Sequence, residues 1–293
     1  MKITKEDALY LMWTKTAFNN GSCRPTMKKC RPNKKINKKK ERTSAMKKSL
    51  RFLTLGLMAF ALVLGGCSNS KEKEVSKAQK EYTEVQEEVV NHSDDPIEKT
   101  IDFAELDKIN SEVIGWIYIP NTSIDYPIMQ SEDDEKYLTT TLRNETNETG
   151  SIYIEKYNTK DFSDPVTIMY GHTVFADDKS YDAMFSDLQK YKEESFMQEN
   201  PYIYVYTPDK TIKYQIFSCV TFDDRYILGN YQFKDPTDFQ DYIDELRNTL
   251  GAIVNRDLDI TQDSKVLTLS TCVGVGVEQR WLVNAVEVEE IAK

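Results

Sequence analysis

Histidine is what this 293-residue chain has least of: His92 and His172 are the only two. Cysteine is nearly as scarce, with five in all, and Cys23, Cys30 and Cys67 fall within the first 67 residues. Only Cys219 and Cys272 remain for the rest of the chain. No CxxC spacing and no His/Cys cluster occurs, which excludes a structural zinc site of the finger or ribbon kind. No motif calls for a metal or an organic cofactor. One disulfide, Cys219 to Cys272, is the most the body could form. However, Cys219 sits inside the apolar run "YQIFSCVTF", where a buried small hydrophobe is expected. Internal repeats are also lacking.

Positive charge is concentrated at one end of the chain and outnumbered in the rest. Residues 1–51 hold sixteen of the 38 Lys/Arg and three of the 48 Asp/Glu, and residues 52–67 hold neither. Residues 68–293 are therefore left with 22 basic and 45 acidic side chains, a net of −23. A body that acidic repels phosphate backbones, which excludes a nucleic-acid role for it.

The basic run "KKCRPNKKINKKKER" lies ahead of "FLTLGLMAFALVLGG", an uncharged apolar stretch ending at Cys67. That stretch is short for a membrane span and right for a signal-peptide core. From Met46 onward, "MKKSLRFLTLGLMAFALVLGGCSNS" has a basic start, an apolar core and small residues before a cysteine. "LGGC" resembles a bacterial lipobox, with Cys67 as the lipid-modified residue; an uncleaved signal anchor is the other reading. Both place the body outside the membrane. Residues 1–45 read as an upstream extension of a chain that starts well at Met46.

Residues 68–97 are charged and poor in large apolar groups, and read as a tether that turns helical towards Pro96. His92, within it, reads as a solvated bystander. Beyond it come a short helix in "DFAELDKIN", a strand around Trp116, and strand-like runs at "IDYPIMQ", "GSIYIEK", "VTIMYGH", "YIYVYTP", "TIKYQIFSCVTF", "KVLTLST" and "RWLVNAVEV". Two helical patterns interrupt them, "YDAMFSDLQKY" and "DPTDFQDYIDELRNTLG". The second has Asp235 as N-cap, Pro236 in its first turn, Gly251 past its end, and a stripe of Phe239, Tyr242, Ile243 and Leu246. Seven or eight strands with few helices predict a closed or nearly closed β-barrel.

Three residues carry chemistry. In "VLTLSTC" the strand period puts Cys272 on the face of Val266, Thr268 and Ser270, the more polar one, away from Leu267 and Leu269. Gly274 and Gly276 supply a turn, and a hairpin then sets Arg280 against Cys272. His172, after the strand "VTIMY" and before the acidic loop "TVFADDKS", is the credible base or imidazolium partner for a thiol.

"TLSTC" followed by Arg280, with "YGH" upstream, resembles the sortase signature. "VIGWIYIPNTSIDYPIMQ", Tyr137-Leu138, "GSIYIEK" and the helix-bearing insert at 235–251 resemble class B sortases, across residues 98–293. The resemblance implies an eight-stranded sortase barrel with N-terminal helices and an active-site groove at one end. It makes Cys272 the nucleophile, His172 the general acid/base and Arg280 the oxyanion or substrate-positioning group, with Ser270 and Thr271 against the substrate. It also implies cleavage of an LPxTG- or NPxTN-like sorting signal after its threonine, through a thioacyl enzyme. The acceptor would be an amine on a peptidoglycan precursor or a pilin lysine, at the cell surface. Two departures bear on the subclass: Thr173 stands where class B members often carry Asn, and the loop "VGVGVEQ" is small and apolar. Other readings are an L,D-type cysteine transpeptidase, whose "SHGC"-like signature is missing, and a non-enzymatic binding lipoprotein.

Overall fold

Runs of β-branched and aromatic residues bounded by turn formers build the body. The computed structural model describes residues 68–176, 179–274 and 277–293; the extension 1–45, the signal-type segment 46–67 with Cys67, and Gly276 of the expected turn lie outside the described residues. Eight strands form the barrel: β1 (Val113–Tyr118), β2 (Asp125–Met129), β3 (Ile152–Ile154), β4 (Val166–Tyr170), β5 (Tyr202–Tyr206), β6 (Lys210–Asp223), β7 (Val266–Cys272) and β8 (Gln279–Ala292). Their order around the sheet is β6-β8-β7-β4-β3-β2-β1-β5, and β5 pairs with the first half of β6 to close it. The pairs β2–β3 and β4–β7 are parallel and the rest antiparallel. The expected eight-stranded barrel is what forms.

Both faces of β7, and of β8 from Trp281 to Val286, are covered. Leu267, Leu269 and Val283 point into the barrel with Trp116, Met129 and Tyr206. Val266 and Leu282 point outward, beneath helix α3 (Pro236–Asn248), where Phe239, Tyr242, Ile243 and Leu246 are all buried. Each such side chain contributes roughly 1.5–3 kcal/mol through burial. The Asp235 carboxylate caps α3 by accepting from the Thr237 N–H at 2.8 Å. The face of β7 read as the more polar one is therefore roofed along most of its length. Thr268 is buried on it, bonded to the Tyr242 hydroxyl and to Asn284. Only its Cys272 end is half open.

The segment read as a tether is helix α1 (Ser68–Val89), and it docks on the barrel. Val75, Ala78, Tyr82, Val85 and Val89 form its buried stripe. The Tyr82 hydroxyl lies 2.9 Å from Ser151 Oγ, and its ring meets Tyr126 edge-on at 5.3 Å. A second helix, α2 (Phe103–Ile109), follows. Among the described residues no helix is long and apolar enough to cross a membrane.

Another difference lies after His172. The expected acidic loop and the start of the expected helix pair as a small antiparallel hairpin, Thr173–Ala176 with Lys179–Met184. A 3-10 helix, Ser186–Lys192, follows, and His92 is exposed as expected.

Candidate active site

The β7–β8 register sets Cys272 opposite Arg280. Paired residues of adjacent strands project to one face, and Arg280 Nη1 lies 3.5 Å from Cys272 Sγ. β4 runs parallel to β7 with Tyr170 opposite Ser270, so the chain leaving β4 delivers Gly171 and His172 beside the end of β7. Gly171 is needed there, because a Cβ would come within 2.7 Å of the Phe185 ring. Phe185 in turn donates its N–H to the His172 carbonyl at 3.0 Å.

His172 is oriented by a carbonyl. Its Nε2 lies 2.9 Å from the Leu138 oxygen, which can only accept, so Nε2 carries hydrogen and Nδ1 is the atom left to exchange a proton. Burial holds the imidazole below its usual range, and the Arg280 charge adds to this against the pull of the Leu138 carbonyl. Leu138 ends a 3-10 turn whose Tyr137 hydroxyl bonds to Asn110 and Glu112, while the Tyr137 carbonyl accepts from Ser151 N–H at 2.9 Å. Gly150, at φ +62°, lets the chain pass: a Cβ there would lie 2.5 Å from the Tyr137 oxygen.

A narrow cleft of about 40 Å³ joins His172, Cys272 and Arg280, with Leu138, Tyr153, Tyr170, Ser270 and Thr271 in its walls. A larger hollow, about 680 Å³ between Glu88, Phe103, Pro208 and Lys293, is elsewhere and has no thiol or imidazole. Ser270 and Thr271 line the cleft but are buried, and the Thr271 hydroxyl is engaged by Thr173 at 2.8 Å. Cys219 is wholly buried against Met197, and burial pushes its thiol far up; it forms no disulfide with Cys272. Sequence reasoning missed the Leu138 carbonyl, although Tyr137-Leu138 stood out as a motif. It missed Gln189 altogether, whose amide donates to the Cys272 carbonyl at 3.0 Å.

Beneath Tyr170 lies a carboxyl pair. Glu155 is fully buried; its oxygens accept from the Tyr170 and Tyr226 hydroxyls at 3.1 and 3.3 Å. Burial, then the neighbouring Asp134, push Glu155 up to about 9, so it holds the proton. Asp134 accepts the Lys156 N–H at 2.8 Å.

A barrel of this topology with a thiol, imidazole and guanidinium on one cleft defines a class of cysteine enzyme, and the comparisons agree. The sortase domain family model matches residues 117–288. The chain is 31% identical over 168 residues to Sortase B of Listeria monocytogenes, 57% of this chain and 65% of that protein, just under two thirds of its length. It is 31% identical over 172 residues to Sortase B of Staphylococcus aureus, covering 58% and 67%. The crystal structure of sortase B from Bacillus anthracis in complex with AAEK1 aligns with a TM-score of 0.63 at 26% identity, over 74% of this chain and 99% of that one. The chain belongs to the sortase family, a family of cysteine transpeptidases, and within it is most like class B.

Proposed function

We propose that this chain is a class B-type transpeptidase that cleaves an LPxTG- or NPxTN-like sorting signal after its threonine. The observation that carries the reading is the Cys272–Arg280 contact of 3.5 Å in a cleft shared with His172. The Cys272 sulfur attacks the threonine carbonyl carbon, and its proton passes to His172 Nδ1. The resulting tetrahedral oxyanion lies within reach of the Arg280 N–H donors. Collapse breaks the C–N bond, His172 returns the proton to the leaving amine, and a thioester remains on Cys272. An incoming amine, from a peptidoglycan precursor or a pilin lysine, then attacks the thioester, loses its proton through His172 and releases the thiol. His172 suits both proton transfers because it is held mainly neutral near pH 7. Ser270 and Thr271 serve as wall rather than as donors, since both are buried. Such a substrate places the enzyme at the cell surface, tethered through residues 46–67. A lipid on Cys67 or an uncleaved anchor would do this, and fatty-acid labelling of the producing cell separates the two.

Cys272→Ala should abolish cleavage of a sorting peptide and the acyl-enzyme mass, while leaving the melting temperature within a few degrees. A mixed peptide library trapped on the wild type identifies the signal. Turnover by Cys272→Ala would sink the mechanism, and a non-enzymatic barrel would keep its function with Cys272 alone blocked.

A further inference from the structure

β7 loses a neighbour before it reaches Cys272. Its pairing with β4 ends at Ser270, whereas on the other side the Val273 N–H still bonds to the Gln279 carbonyl. Successive residues of a strand turn their backbone groups to opposite sides. With Val273 facing β8, the Cys272 carbonyl faces the side that β4 has left. A half-buried carbonyl there needs donors from outside the ladder.

Two side chains supply them. Thr173 Oγ1 and Gln189 Nε2 each lie 3.0 Å from the Cys272 oxygen. Thr173 Oγ1 is also 2.8 Å from Thr271 Oγ1 and 3.3 Å from Gln189 Nε2. One proton assignment satisfies all of these contacts. The Thr173 hydroxyl donates to the Cys272 carbonyl and accepts from Thr271 and Gln189, and the two amide hydrogens of Gln189 go to Thr173 and to the carbonyl. Thr173 adjoins His172 in the chain. Gln189 lies on the 3-10 helix whose Leu188 carbonyl accepts the Trp281 Nε1–H at 2.9 Å, next to Arg280. The segments bearing all three site residues are thus tied through this one network.

We propose that Thr173 and Gln189 are positioning residues that hold the Cys272 carbonyl, and through it fix the thiol against His172 and Arg280. The inference rests on Cys272 acting as the nucleophile. Displacing a nucleophile by about 1 Å can cost on the order of 100-fold in rate, so holding the strand end matters more to turnover than to overall stability.

The test compares Thr173→Val, Thr173→Ser, Gln189→Leu and the Val/Leu double variant. It uses steady-state cleavage of a sorting peptide, melting curves, and hydrogen exchange in peptides spanning residues 268–282. Thr173→Val and Gln189→Leu should each lower kcat about tenfold or more with KM within about threefold, and should speed exchange at the strand end. Thr173→Ser should return kcat to within about threefold of wild type. The double variant should lose less than the product of the single losses, because both groups act on one carbonyl. The proposal is overturned by kcat within about twofold of wild type in both single variants, by a loss of kcat with exchange unchanged, or by a serine that fails to rescue. Failure of the function reading looks different: the wild type then turns over no sorting peptide, and the proposal falls with it whatever the exchange data show.

Discussion

Arg280 distinguishes an active-site arrangement from a chance one. As a mere charge at a strand start it would tolerate lysine, with stability changed by no more than about 0.5 kcal/mol and turnover untouched. As a donor to a developing oxyanion it would not, because lysine keeps the charge and loses the planar fork. Arg280→Lys should cost roughly 100-fold in kcat, with a smaller change in KM. Steady-state cleavage by a variant with an unshifted melting curve is the measurement, and activity within about threefold of wild type would remove Arg280 from the chemistry. The thiol, imidazole and guanidinium were legible in the sequence because each is rare or sharply placed: one unassigned histidine, one cysteine at a strand end, one arginine at the start of the partner strand. Leu138 and Gln189 were not. A backbone carbonyl leaves no mark of residue type, and an amide on a 3-10 helix looks like any other polar surface residue.

Among the elements, α3 was readable in full because Asp235, Pro236 and the Phe239–Leu246 stripe mark its start and its inner face together. α1 was readable in pattern and hidden in composition. Its stripe recurs every three or four residues, while the charged residues between lower the mean hydropathy to that of a linker. The hairpin after His172 escaped because its first strand, "TVFA", is short and its second runs into a stretch with a helical pattern. Docking of α1 matters to the site: Tyr82 contacts Gly150 and Ser151, and Ser151 supports the turn that carries Leu138. Tyr82→Phe should lower stability by about 1 kcal/mol, and Tyr82→Ala by about 3 kcal/mol or more, read from urea midpoints. A solvated tether would register neither above about 0.5 kcal/mol.

For the molecule as a whole, the buried Glu155 gives stability a pH dependence of definite sign. Folded, Glu155 keeps its proton up to about 9; unfolded, it releases it near the usual 4.5. Between those values the unfolded chain binds fewer protons than the fold, so stability falls as pH rises, by at most about 1.4 kcal/mol per pH unit for one group. Asp134, raised by burial as well, adds to the same slope. Glu155→Gln keeps one oxygen to accept a tyrosine hydroxyl and gains an amide that can donate to Asp134, and it should flatten the loss between pH 5 and 9 in denaturant titrations. An unchanged slope would place the proton elsewhere.

The parallel seam between β4 and β7 pairs Val166 with Val266, and β8 then joins β7 to β6. The chain leaves the ribosome, and would cross a membrane, N-terminus first, so the six earlier strands emerge before the two that fill the gap between them. The sheet cannot close on itself until its last two strands, which carry both the sulfur and the guanidinium, have emerged. A chain cut short before β7 thus has His172 but neither Cys272 nor Arg280.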